Sequence, residues 1–91
     1  MRFEWDEEKR LANWRKHGID FADVESVFAD EVYTIVDDRF DYNEIRYLSL
    51  GLLFGEIIAI SHTETDEIIR FISARKAEKH EQETYFKAIR D

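Results

Sequence analysis

The sequence has no cysteine and no proline, only three glycines and one methionine, and no long apolar run. Each absence excludes something. Without cysteine there is no disulfide framework, no thiolate nucleophile and no cysteine-ligated metal. A reducing compartment, the cytoplasm, is the expected location. Without proline or a Gly/Ser tract, no segment reads as a linker. The 91 residues are therefore expected to form one domain spanning 1–91. No stretch reaches the roughly 18 apolar residues of a membrane span. The opening Met1-Arg2-Phe3-Glu4-Trp5 lacks the apolar segment of a signal peptide, so no leader is expected.

What is present is a folding composition, 44% hydrophobic and 37% charged, which disfavours disorder. A chain this short buries only about 60–65% of its unfolded surface, so its core is modest and a partner could add stability. The formal net charge is −8, opposite to what nucleic-acid binding usually asks for. The charge is uneven, however. Residues 1–18 carry a net +1, residues 19–45 carry nine acids against one arginine, and residues 46–91 carry a net −1. The acidic block can repel a phosphate backbone or attract a basic partner; a plain solvated surface is the simpler alternative.

The residue pattern predicts β-α-α-β-β-β-β-α. Phe3–Trp5 reads as a short first strand. Asp6 is a helix cap, with Glu7 and Glu8 at the positive end of the dipole and Arg15, Lys16 and His17 at the negative end. Gly18 is the stop. Leu11 and Trp14 share a face of this helix. Asp20 caps a second helix whose stripe is Phe21, Val24, Val27 and Phe28. Strands follow at Val32–Val36, Glu44–Leu50, Glu56–Ser61 and Ile68–Ser73, with polar turns at Asp37–Asp41 and His62–Glu67 and a hairpin turn at Leu53–Glu56. Gly51 marks a bulge or a close approach. A last helix starts at Ser73 or Ala74 and runs to about Ile89. The expected fold is α+β: a four-stranded antiparallel meander, with a short extra strand at the N-terminus, two N-terminal helices and one C-terminal helix, the helices covering one side.

Two stretches carry a family resemblance. The first is Trp5-Asp6, Lys9, Asn13, Lys16-His17-Gly18-Ile19 and Phe21. The second is Ile72-Ser73-Ala74-Arg75-Lys76-Ala77, with Glu81 and Tyr85 after it. Between them lie Asp37-Asp38-Arg39 and Glu44-x-Arg46. Together these resemble the BrnT toxins, over nearly the whole chain. The resemblance implies a RelE-like fold and a ribonuclease of a type II toxin–antitoxin system. It implies neutralisation by a cognate antitoxin, BrnA, in an assembly with two copies of each. Promoter DNA would be bound through the antitoxin. The chain is more acidic than such toxins commonly are.

Cleavage of RNA at its own 2′-hydroxyl needs a proton acceptor, a proton donor and a holder of the charge on the phosphoryl oxygens. It requires no metal, and no metal-ligand spacing is visible, so no cofactor is expected. Arg46 and Arg70 are the charge-holding candidates, each expected mid-strand with a planar fork suited to phosphate; salt bridges to Glu44 and Glu67 are the alternative. Arg75 and Lys76 are expected at the start of the last helix, where a cation opposes the dipole unless an anion is near. Lys79 extends that basic character. Lys16, His17 and His62 are candidates for proton transfer, His62 at a strand end beside a turn. His80 is expected to face solvent. Trp14 is a candidate for stacking on a base, with core anchoring as its alternative. The best site is a cleft of Arg46, Arg70 and Arg75.

Two further functional readings compete with the ribonuclease. One is a non-catalytic or weakened toxin-like protein that binds a basic partner through its acidic segment 20–44. The other is an α+β domain of unrelated function.

Overall fold

The computed structural model describes residues 1–39 and 43–90. Its elements are β1 (Arg2–Glu4), α1 (Glu7–His17), α2 (Phe21–Val24), a 3₁₀ turn (Glu25–Ala29), β2 (Tyr33–Asp37), β3 (Arg46–Leu53), β4 (Glu56–Thr65), β5 (Ile68–Lys76) and α3 (Lys79–Arg90). The strands form one sheet in the order β1-β5-β4-β3-β2. Strands β2 to β5 are the expected antiparallel meander, and β1 adds to β5 in parallel. The predicted turn Asp37–Asp41 falls partly outside the described residues.

Local chemistry sets the helix ends. The Asp6 carboxylate accepts from the N–H groups of Glu8 and Lys9, and Gly18 closes α1 at φ 71° while donating to the carbonyl of Trp14. Asp20 caps α2 through the N–H of Ala22. The second helix is shorter than its pattern predicts: one α turn followed by the 3₁₀ turn. It still buries Phe21, Val24 and Val27.

The helices cover both faces of the sheet, not one. The apolar run of β4 explains this, because successive side chains in a strand point to opposite faces. Ile58 and Ile60 join Phe21, Val24, Val27 and Phe71 in a core under α2 and the 3₁₀ turn. Ile57 and Ala59 join Leu48, Leu50 and Tyr85 in a second core under α3. On α1 the buried residue is Asn13, while Leu11 and Trp14 stay 44% and 51% exposed. Trp14 is therefore not a core anchor.

Three strands run past their expected ends. The β3 strand starts at Arg46 rather than Glu44 and runs on to Leu53. The β4 strand continues through His62 to Thr65, and β5 continues past Ser73 to Lys76. A register shift lies between them. Ser61 pairs with Ser73 but His62 pairs with Phe71, so Ile72 is an extra residue on β5. The bulge resets the side-chain alternation, and Ala74 follows Ile69 and Phe71 into the first core. The Asn13 carboxamide fixes this stretch. Its Nδ2 donates to the carbonyls of Ala74 (2.9 Å) and Ile19 (3.0 Å), and its Oδ1 accepts from the N–H of Ala74 (3.0 Å). Ser73 therefore caps no helix. The α3 start is held by Glu81, whose carboxylate reaches back to the N–H of Glu78 at 2.8 Å.

Gly51 is a close approach within an unbroken register opposite Ile58; a Cβ there would lie 2.3 Å from Val27 Cγ1. Gly51→Ala is expected to destabilise the fold by roughly 1–3 kcal/mol through overpacking. Asn13→Ala is expected to remove about 2–4 kcal/mol, since it leaves buried backbone groups of Ala74 and Ile19 unsatisfied. Urea denaturation checks both, and Trp14→Ala, at a half-exposed position, should move the midpoint far less.

Candidate functional site

The strand register builds a row of polar residues across the whole sheet. Asp37 of β2 pairs with Arg46 of β3, Thr63 of β4 pairs with Arg70 of β5, and Arg70 pairs with Glu4 of β1. Tyr47 pairs with His62, and the same register sets Arg46 opposite Thr63. Arg46, Thr63 and Arg70 thus lie side by side on one face, with the arginine Cα atoms about 10 Å apart, two strand spacings. This is the α3 face, because Arg46 alternates with Leu48 and Leu50 of the second core. The row lies beyond Leu48, at the end of the sheet that the second core does not fill.

Arg75 pairs with Ala59 and so faces the same side, but it lies further along, beside α3. It is on β5, not at a helix start, so no unfavourable dipole needs explaining. Its two Nη groups donate to the Glu81 carboxylate at 2.8 and 3.1 Å. That fork holds Glu81 below the usual carboxylate range and raises Arg75 further. Each of the three arginines thus has an acidic neighbour: Glu44 for Arg46 (3.5 Å), Glu4 for Arg70 (3.2 Å) and Glu81 for Arg75. The pairs differ in kind. Glu81 is buried and tied to the helix start. Arg70 and Glu4 are both about half exposed, a pairing that salt and competing anions readily weaken.

Asp37 and Arg39 close the β2 end of the row. Arg39 donates to both carboxylate oxygens, at 2.8 and 3.0 Å, and holds the Asp37 carboxyl below its ordinary range. Between β2 and α3 runs a groove of about 250 Å³ with an apolar floor that includes Leu48 and Leu50.

The remaining candidates are not gathered at this row. His62 lies within β4, not in a turn, and on the opposite face. Its side chain is fully buried, stacked on Tyr47 and set edge-on to Phe28, and its Nε2 shares a 2.7 Å hydrogen bond with Ser49 Oγ. Burial pushes its pKa down to about 4, so it is neutral there. It shares neither a surface nor a face with the arginines. Lys16 and His17 end α1 beside the far end of β5. Burial, then the charges of Lys16 and Arg75, push His17 below its ordinary value. Lys76 is exposed and pairs with Glu56 at 3.5 Å. Lys79, the first residue of α3, and Trp14 are exposed.

A family model described as the ribonuclease toxin BrnT of type II toxin–antitoxin systems matches residues 5–81. The chain belongs to the BrnT family. It is a ribonuclease toxin that an antitoxin neutralises, and its sheet flanked by two N-terminal helices and one C-terminal helix is RelE-like. None of the individually curated proteins matches it. For this BrnT toxin, sequence reasoning gave no role to Glu4, which meets Arg70 only through parallel pairing across 66 positions. It noted the spacing of Glu81 without foreseeing its fork to Arg75. A glutamate three residues into a helix is the capping-box signal that could have found it.

The histidine of the toxin's core makes acid stability testable. His62 takes up a proton near pH 6.5 when unfolded and near pH 4 when folded. The unfolded chain therefore binds more protons between those values, and stability falls as pH drops from 6.5 towards 4, by up to roughly 3 kcal/mol. His62→Phe should flatten the change in urea midpoint between about pH 6.5 and pH 5. An equally steep decline in that variant would assign the acid sensitivity to other groups.

Proposed function

We propose that the toxin cleaves RNA on the α3 face without a metal, holding the scissile phosphodiester between Arg46 and Arg70. The single observation that carries this reading is the register pairing that sets the two guanidinium-bearing positions on either side of Thr63. Two planar forks in that arrangement can grip the equatorial oxygens as charge builds on them, and the Thr63 hydroxyl can donate between them. Phosphate replaces the half-exposed Glu4 on Arg70, which frees that carboxylate to accept the 2′-hydroxyl proton. Arg75, oriented by Glu81, carries positive potential along the same face. Lys79 starts α3, which covers this face, whereas Lys16, His17, Lys76 and Trp14 lie away from the row and meet only more distant nucleotides of the strand, with Trp14 exposed enough to stack on a base.

The partner is a BrnA-like antitoxin, in an assembly with two copies of each chain, and promoter DNA is met through the antitoxin. The acidic segment 20–44 suits a basic partner, and it spans both α2 on one face of the sheet and β2 at its edge, so binding can extend beyond the face proposed for catalysis. No helix among the described residues is long and apolar enough to cross a membrane, which accords with work in the cytoplasm.

Arg70→Ala should reduce RNA cleavage about 100-fold or more. Its thermal melt should barely move, since exposed ion pairs contribute at most about 1 kcal/mol. Arg75→Ala should instead lose roughly 1–3 kcal/mol of stability, because Glu81 keeps its burial and loses its fork. Cleavage by purified Arg70→Ala at the wild-type rate would remove Arg70 from the site.

A further inference from the structure

The sheet ends at β2, whose only strand neighbour among the described residues is β3. Edge strands are usually blunted by lysine, proline, a bulge or shortness, because their outward N–H and C=O groups invite another strand. The other edge, β1, is three residues long and carries Arg2 and Glu4. The β2 edge reads Tyr33-Thr34-Ile35-Val36-Asp37; it has no lysine, proline or bulge, and its one charge is the buried Asp37 at its end. Ile35 and Val36 are 44% and 57% exposed on opposite faces of the strand. Such a β-branched segment favours strand pairing, and leaving it open invites association.

The surroundings say what kind of segment fits. Along the α3 side of the strand runs the 250 Å³ groove, floored by Tyr33, Ile35, Leu48 and Leu50 and walled by His80 and Thr84. It accepts an aliphatic side chain. Asp30 and Glu31 precede the strand and Asp38 follows it, within the stretch where nine acids face one arginine. The field is felt inside the fold: after burial, Asp30 and Glu31 are what raise the Tyr85 phenol.

We infer that β2 takes up an extended, basic segment of the antitoxin as a sixth strand, with one aliphatic side chain in the groove and lysine or arginine against Asp30, Glu31 and Asp38. This rests on the antitoxin partnership that family membership implies. Main-chain hydrogen bonds supply affinity in this mode, and alternate side chains supply specificity. The placement also explains neutralisation. Asp37 and Arg39 line the groove, and Asp37 pairs with Arg46, so a strand laid on β2 crosses the end of the arginine row.

Hydrogen exchange on the toxin alone and in complex with its cognate antitoxin tests this. Those amides of residues 33–37 that do not already bond β3 should gain protection on binding. Ile35→Lys and Asp38→Lys should each weaken the complex at least tenfold, while the free Asp38→Lys toxin cleaves RNA at the wild-type rate. Arg70→Ala should bind the antitoxin as wild type does, which separates this inference from the cleavage site. Protection elsewhere with β2 unchanged overturns it. So does wild-type affinity in the Asp38→Lys variant, whose exposed position makes it independent of how Ile35→Lys folds. Weakened binding without β2 amide protection also overturns it, because the partner would then not be a strand.

Discussion

The fold depends on one buried carboxamide. The β1 strand pairs with β5 only as far as Arg70, and beyond that point β5 has lost its neighbour. Asn13 takes over by giving Ala74 both hydrogen bonds that a neighbouring strand would have given. Its remaining proton goes to Ile19, which fixes the turn into α2. A helix is thus joined edge-on to a sheet by side-chain chemistry. With Ala74 held, the bulge at Ile72 has a fixed end, and Arg75 is delivered to the α3 face. There it meets Glu81, and Glu81 in turn holds the first turn of α3. Asn13, Ala74, Arg75 and Glu81 form a continuous path from α1 to α3 through the backbone of β5.

The two faces of the sheet divide the work. Under α2 the core is aromatic: Phe3, Trp5, Phe21, Phe28 and Phe71 stack or tilt against one another. Its polar seam, Thr34–Ser49–His62, is bonded in sequence at 2.7 Å and links β2, β3 and β4. That arrangement stabilises the sheet without placing a charge inside it. The other face has a smaller core and carries Arg46, Arg70 and Arg75. Charge is tolerated there because α3 covers only part of it.

The elements governed by near neighbours were legible in the sequence. The Asp6 and Asp20 caps, the Gly18 stop and the β2 to β5 meander needed only local pattern, and the BrnT motifs brought the RelE-like fold and the ribonuclease activity. What failed to show was set by distant partners. The bulge at Ile72 is a property of two strands, so the end of β5 was misplaced, and Arg75 with it. His62 sits between the apolar run Ile57–Ile60 and the polar run Thr63–Glu67, and polarity alone suggested a turn. Its burial is decided by Ser49, Tyr47 and Phe28, none of them adjacent in sequence. Helices on both faces could have been inferred from the unbroken apolar run Ile57–Ile60. Asn13 stood in the motif, but its role needs a strand 61 positions away.

The net charge of −8 and an RNA substrate are reconciled by where the charges lie. The excess acid is concentrated before β3, with Asp30, Glu31, Asp37 and Asp38 in or beside β2 and Asp20, Asp23 and Glu25 at α2 and the turn after it, whereas Arg46 and Arg70 occupy the middle strands. Coulomb energy between solvated charges fades within about a Debye length, roughly 8–10 Å, so distant acids cost a bound phosphate little. The acids nearest the row are already engaged: Asp37 with Arg39, Glu81 with Arg75, Glu4 with Arg70. An anion arriving at Arg70 therefore exchanges one exposed carboxylate for itself. An arriving basic strand finds the opposite field a short distance away. The acidity is thus unevenly placed: no acid lies on β3 or β5, the strands that carry Arg46 and Arg70, and under the proposed mode of binding that distribution favours a phosphodiester at the row and a basic segment at β2.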